Sequence, residues 1–175
     1  MKEKRVRTPF DESIFHEKSQ EYFLGYMGEL QKTTDKKLEI FIQVNYFGTV
    51  LDNTMEYLLK TNQARGIKPH QIIDILFEKG ILDNTDAVNA NKIIKIRNLF
   101  SHQEDSPHML RNIAEIINKI EIELNDIPSR TGHTTDSVKE LMETTMAKWD
   151  MYQKLDFLIH ELVISMESKV RLMKN

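Results

Sequence analysis

The stretch KLEIFIQVNYFGTVLDNTMEYLLK, residues 37–60, decides the fold. Residues 38–47 are rich in β-branched and aromatic side chains, the composition of a strand. Read further, the apolar positions settle into another period. Ile40, Val44, Phe47, Leu51, Met55 and Leu58 are spaced 4, 3, 4, 4, 3. A strand turns its side chains over every second residue, so it cannot keep that spacing on one face. A helix can, and over nineteen positions the pattern predicts one.

The same period extends in both directions. Upstream, residues 11–32 place Ile14, Phe15, Tyr22, Phe23, Tyr26, Met27 and Leu30 at helical spacing. Gly25 and Gly28 interrupt that segment. No strand precedes them and the glycine pattern is not that of a phosphate loop, so they are expected to allow close helix contact. Downstream, Gly66 and Pro69 mark a connection, with Pro69 suited to a first helical turn. The next helix carries Ile72, Ile73, Leu76 and Phe77 and stops near Gly80. Another covers 85–101, with Asn84, Thr85 or Asp86 as its N-cap. After Pro107 a helix over 107–125 bears the stripe Met109, Ile113, Ile116, Ile120 and Leu124.

Pro128 and Gly132 bound a polar loop. Residues 137–173 then contain neither glycine nor proline, and Ser137 and Glu140 have capping-box spacing. Unbroken, this helix would be roughly 50 Å long. Either it breaks near Trp149–Met151, or it projects and pairs with the N-terminal helix or a second subunit. Leu155, Ile159, Leu162 and Met166 are expected to be buried in either case.

Composition agrees with an all-α chain. Six glycines and four prolines in 175 residues give few tight turns. Residues 1–10 read as a basic arm and residues 11–175 as a single helical domain. Cysteine is absent, which excludes disulfides and thiolate chemistry. No signal-peptide core and no bilayer-spanning run is present, so a cytoplasmic protein is expected. The net charge of −3 is not that of a protein that coats nucleic acid. It suits an enzyme that releases its product.

The chemistry gathers in KIIKIRNLFSHQED, residues 92–105. Arg97, Asn98, Ser101 and His102 stand among Ile93, Ile94, Ile96, Leu99 and Phe100. Arg97, Asn98 and His102 spell R-N-x-x-x-H at the end of one amphipathic helix and just before another. With that motif, residues 36–125 resemble a HEPN domain, a helical family of prokaryotic toxins and RNA-cleaving defence proteins. KIRNLFSH is similar to the family's Arg-polar-x-x-x-His signature. Helices over 36–61, 69–79, 85–101 and 107–125 match its bundle in number and order. The helices 11–32 and 137–173 are additions to that core.

The resemblance implies an up-and-down helical bundle acting as a metal-independent endoribonuclease. It implies a homodimer whose arginines and histidines face each other across the interface, in a toxin–antitoxin or defence setting. The partners would be RNA and an antitoxin protein, with no DNA and no membrane, and no cofactor is required. Arg97, Asn98 and His102 carry the catalytic assignment. The residue types fit. A neighbouring 2′-OH can serve as nucleophile if histidine moves protons near neutral pH. Arginine's planar fork can hold the phosphate oxygens. Asn98 would orient His102 or the phosphate. Lys92, Lys95, Ser101 and Arg111 are the substrate-binding candidates. One position departs from the toxins paired with a nucleotidyltransferase antitoxin. The tyrosine that follows their histidine by two residues is Glu104 here, which points away from that subtype.

The alternative is a non-catalytic bundle of the same shape, used for dimerisation or partner binding. In it Arg97 pairs with Glu104 or Asp105 and His102 caps a helix end. His102, Glu104, Asp105 and His108 lack a convincing metal-ligand spacing, and no metal is expected. His16, His70, His133 and His160 read as ordinary surface or boundary residues. Trp149 and the methionine-bearing stripe of the last helix read as core or interface, not as a cofactor site.

Overall fold

The computed structural model describes residues 12–59, 66–103, 108–120, 145 and 148–173. Among them six α-helices and no strand are found: α1 (Glu12–Leu30), α2 (Lys36–Leu58), α3 (Pro69–Glu78), α4 (Asn84–Gln103), α5 (Met109–Ile117) and α6 (Met151–Leu172). The protein is all-α.

The segment 37–60 forms the central helix. Asp35 caps α2, its carboxylate accepting from the backbone N–H groups of Lys37 and Leu38 at 2.8 and 3.1 Å. The α2 helix packs against α1, α3, α4 and α6. Neighbours on nearly every side explain its strand-like composition. Ile42, Tyr46 and Val50 are buried as well as the stripe Ile40, Val44, Phe47, Leu51 and Met55. A helix that is apolar almost all round belongs in an interior. Burying Ile72, Ile93, Ile113 and Leu155 in the same cluster joins all the helices from α1 to α6 in one core.

Pairs of contacts fix the helix directions. Phe15 meets Tyr57 at 4.5 Å between ring centroids, whereas Tyr26 stacks on Tyr46 at 4.4 Å, so α1 runs antiparallel to α2. Likewise Arg97 meets Asn45 and Phe100 meets Phe41, so α4 is antiparallel to α2. Lys36 lies over the ring of Tyr152, which sets the starts of α2 and α6 side by side.

Some expectations are met and others need correction. The α6 helix starts afresh at Met151, with Asp150 accepting from the N–H groups of Tyr152 and Gln153 at 2.9 Å. The chain therefore breaks at Trp149–Met151. Leu155, Ile159, Leu162 and Met166 are buried within the chain, on α2 and α5. The expected capping box at Ser137 and the end of the helix over 107–125 lie outside the described residues; α5 ends at Ile117. The cap of α4 is Asp83, one residue before the three candidates: its carboxylate accepts from the N–H of Asp86 at 2.8 Å. Gly25 and Gly28 make no close helix contact, since a Cβ on either would meet nothing within 4 Å. Gly80, by contrast, takes φ +70° just past α3, where the N–H of Ile81 reaches back to the carbonyl of Leu76 at 2.9 Å.

Candidate functional site

The motif lies in the last two turns of α4, which continues as helix to Gln103. Continuity sets the geometry. Five residues at 100° each put Arg97 and His102 about 140° apart around the helix axis. Arg97 and Ser101, four residues apart, share the flank toward α2. Lys95, Asn98 and His102, spaced three and four, share the solvent flank and are all exposed. One copy of α4 does not bring Arg97 and His102 onto a common point.

Arg97 is half-buried, and its seat is built by α2. Its Nε donates to Asn45 Oδ1 at 3.1 Å. Its guanidinium then lies over Gly48, where an added Cβ would stand 3.1 Å from Nη1 and 3.2 Å from Cζ. Only glycine leaves that space without displacing the arginine. Asp52 follows one turn further on. Burial raises its carboxyl above the usual range, the charge of Arg97 opposes that, and Glu56 adds to it. Even so, no salt bridge joins Arg97 to a described carboxylate. Toward the other end of the seam, Phe41 packs on Phe100 with ring centroids 5.2 Å apart. Phe41 keeps 39% of its surface exposed, and Leu38 beside it 45%.

The remaining candidates divide. The side chains of His102 and Asn98 make no hydrogen bond with another described side chain or backbone group. Lys92 is engaged at the junction of α4 and α5. Its ammonium donates to the backbone carbonyl of Lys119, just past α5, and approaches Asn89 Oδ1 at 3.5 Å. A cation there satisfies a helix C-terminal carbonyl, a structural task. Arg111, on the exposed side of α5, is turned along its own helix to Glu115 Oε1 at 3.3 Å. Lys95 and Ser101 remain beside the motif and exposed. Glu104 and Asp105, the partners that the structural alternative gives Arg97, lie outside the described residues. No group of three or more metal-ligating side chains occurs among the described residues.

Asn45, Gly48 and Asp52 are the residues that the motif alone did not reveal. A signal existed: small or polar side chains spaced three and four apart along an otherwise apolar helix. No described helix is long and apolar enough to cross a membrane. Comparison with known protein families, with curated proteins and with solved structures found no match for this chain.

Proposed function

We propose that this chain is a HEPN-like, metal-independent endoribonuclease that works as a homodimer, in a toxin–antitoxin or defence setting. The observation that carries the reading is the state of Arg97. It is a cation held in position by a neutral amide and a glycine, with no described carboxylate bonded to it. A purely structural arginine in a half-buried seam would be expected to close an ion pair, because burying an unpaired charge is unfavourable. A fixed cation with no described carboxylate bonded to it suits the nonbridging oxygens of a phosphodiester.

In this reading the ribose 2′-OH attacks the adjacent phosphorus. The new bond is 2′-O–P and the broken one is P–O5′. One histidine accepts the 2′-OH proton and another gives a proton to the departing 5′ oxygen. Each chain has a single His102, on a different flank from its own Arg97. Two chains facing across a two-fold axis supply both histidines and both arginines. The exposed stripe of Lys95, Asn98 and His102 is the surface that a second α4 would meet. Phe41, exposed and backed by the buried Phe100, offers an unpaired base a stacking surface.

A second reading is the non-catalytic bundle, and one observation favours it. The Arg97–Asn45–Gly48 arrangement already locks α4 to α2 within a single chain. One experiment separates the two. Wild type, His102→Ala and Arg97→Ala are purified, sized by light scattering, melted, and incubated with mixed cellular RNA in EDTA. Cleavage by wild type alone, from a dimer, supports the enzyme. Intact RNA in all three, with only the Arg97→Ala melting temperature lowered, leaves the structural latch.

A further inference from the structure

Polar side chains beside α2 are met in different ways. A cleft of about 440 Å³ opens between α1, α2 and α6, and Tyr46, His160 and Glu167 help to line it. The polar groups behind it are bonded to one another. The hydroxyl of Tyr26 donates to Asp156, and Nδ1 of His160 lies 2.8 Å from the Asp156 backbone carbonyl. Around Arg97 the bonding is not closed in this way.

An arginine has five N–H donors. In Arg97 the Nε–H goes to Asn45 Oδ1 at 3.1 Å. The four on Nη1 and Nη2 make no hydrogen bond with a described group. One face of the guanidinium is covered as well. A Cβ on Gly48 would stand 3.1 Å from Nη1, 3.2 Å from Cζ and 3.4 Å from Nε. Three distances so nearly equal set that position above the plane of the group and not at its edge. With Nε tied and one face against α2, the edge that remains is the pair Nη1 and Nη2. Parallel donors on such an edge match the two nonbridging oxygens of a phosphodiester.

The chemistry of the tether matters. Nε–H can only donate, so the amide of Asn45 is turned with its oxygen toward it. An amide holds the guanidinium without cancelling its charge. A carboxylate in the same place would make the same bond more strongly and would close an ion pair. Asp52, two turns further along α2, acts on Arg97 only at a distance. Its carboxyl responds to the charge of the arginine, yet no salt bridge joins the two.

We propose that Asn45 is the positioning residue of an anion site: it takes up Nε of Arg97 and leaves the Nη1–Nη2 edge, with its charge intact, for a phosphodiester of the substrate. The proposal rests on the ribonuclease reading for the identity of the anion. Asn45 touches no substrate and acts through Arg97. A pure latch between α2 and α4 needs only a strong bond, and a carboxylate would improve it. An anion site would be spoiled by the same change. One isosteric substitution, Asn45→Asp, therefore has opposite signs in the two roles.

The test uses full-length wild type, Asn45→Asp, Asn45→Ala and Arg97→Ala. Each is melted, then titrated with a fluorescent 2′-O-methyl oligonucleotide and followed by anisotropy. That probe has the phosphodiesters but lacks the nucleophile, so binding is read apart from cleavage. Wild type is expected to bind, and Arg97→Ala to lose most of the affinity. Asn45→Asp should weaken binding by about tenfold or more while melting at or above the wild-type temperature. Asn45→Ala should weaken it by about fivefold, because the guanidinium keeps its charge and loses its orientation. Binding by either Asn45 variant equal to that of wild type overturns the proposal. So does a wild type that does not bind the probe, or a loss in Asn45→Asp that merely tracks a lowered melting temperature. If the probe binds in the expected order but cellular RNA is left whole, the ribonuclease reading falls and the anion site stands. If RNA is cut equally well by wild type and both Asn45 variants, the reading stands and the positioning role falls.

Discussion

The seam between α2 and α4 and the cleft between α1, α2 and α6 both set polar side chains against the same central helix. They do so by different means. In the seam one long cation reaches across to an amide and rests on a missing side chain, Gly48. In the cleft, rings stack on rings and a tyrosine hydroxyl, a carboxylate and an imidazole complete one another. The seam depends on a single small residue, and anything larger presses on the guanidinium of Arg97. The cleft spreads its support over several partners, so that no one of them is indispensable. The difference teaches where to look for chemistry. The seam holds a fixed cation with no described carboxylate bonded to it, whereas the polar groups behind the cleft are bonded to one another.

The largest expected effect falls on the seam and its exposed flank. On the proposed ribonuclease reading, His102→Ala should reduce RNA cleavage by roughly a hundred- to ten-thousand-fold without moving the melting temperature, since the side chain is exposed. Arg97→Ala should be as severe, and Arg97→Lys a partial rescue, because lysine lacks the bidentate fork. Cleavage rates in EDTA, set beside circular-dichroism melts, measure both. An Arg97→Ala variant that keeps full activity would reduce the seam to packing.

Next comes the test of the missing side chain. Gly48→Ala forces Arg97 aside by a few tenths of an ångström or more, and should destabilise the chain by about 1–3 kcal/mol. Activity should fall with it, and urea titrations alongside cleavage assays would separate the two losses. An alanine accepted without cost would mean that the arginine has other places to go.

In the cleft, removal of one hydroxyl should matter less. Tyr26→Phe should cost about 1 kcal/mol in urea unfolding, since Asp156 keeps access to water and to His160. The cleft also sets an alkaline limit. Burial and Asp156 push the hydroxyl of Tyr26 up, and burial and Glu167 push that of Tyr46 to about 12. Unfolded tyrosines ionise near 10.0, so above that pH the unfolded chain sheds protons that the folded chain retains. Stability attributable to these groups is therefore level below pH 10 and declines as pH rises from there toward 12. Ultraviolet titration should find that two of the five tyrosines ionise late while the chain stays folded.

The smallest effect has the opposite sign. Gly25→Ala and Gly28→Ala meet open space inside α1, so each should stabilise the chain by about 0.5–1 kcal/mol through helix propensity. Thermal melts of these two beside Gly48→Ala would show one substitution acting in both directions. The sign follows from what lies beyond the Cβ.

Much of the fold is written locally. The stripe from Ile40 to Met55 needed only its spacing, because helical period is a property of neighbours along the chain. Pro69 and Gly80 bracket α3 for equally local reasons: a fixed φ at one end and a left-handed φ at the other. The R-N-x-x-x-H motif is legible for the same reason, since its members are five residues apart. Boundaries were less legible. Asp83 outcompeted Asn84, Thr85 and Asp86 as cap of α4 because its carboxylate reaches the N–H three residues on, a matter of where the helix begins and not of residue type.

The sequence by itself determined that the chain is helical, that residues 37–60 form a helix and not a strand, and that Arg97, Asn98 and His102 spell one motif. Each of these follows from period or proximity along the chain. Only the tertiary structure decided that Arg97 turns to Asn45 and Gly48, that Lys92 closes the end of α5, and that His160, Tyr46 and Glu167 line one cleft. Apart from His160 and Glu167 on α6, these partners lie tens of residues apart in sequence. Their meeting depends on the direction in which each helix crosses α2, and helical period carries no information about that. Packing the apolar faces together fixes it, and the polar side chains then meet whatever partners that packing has placed opposite them.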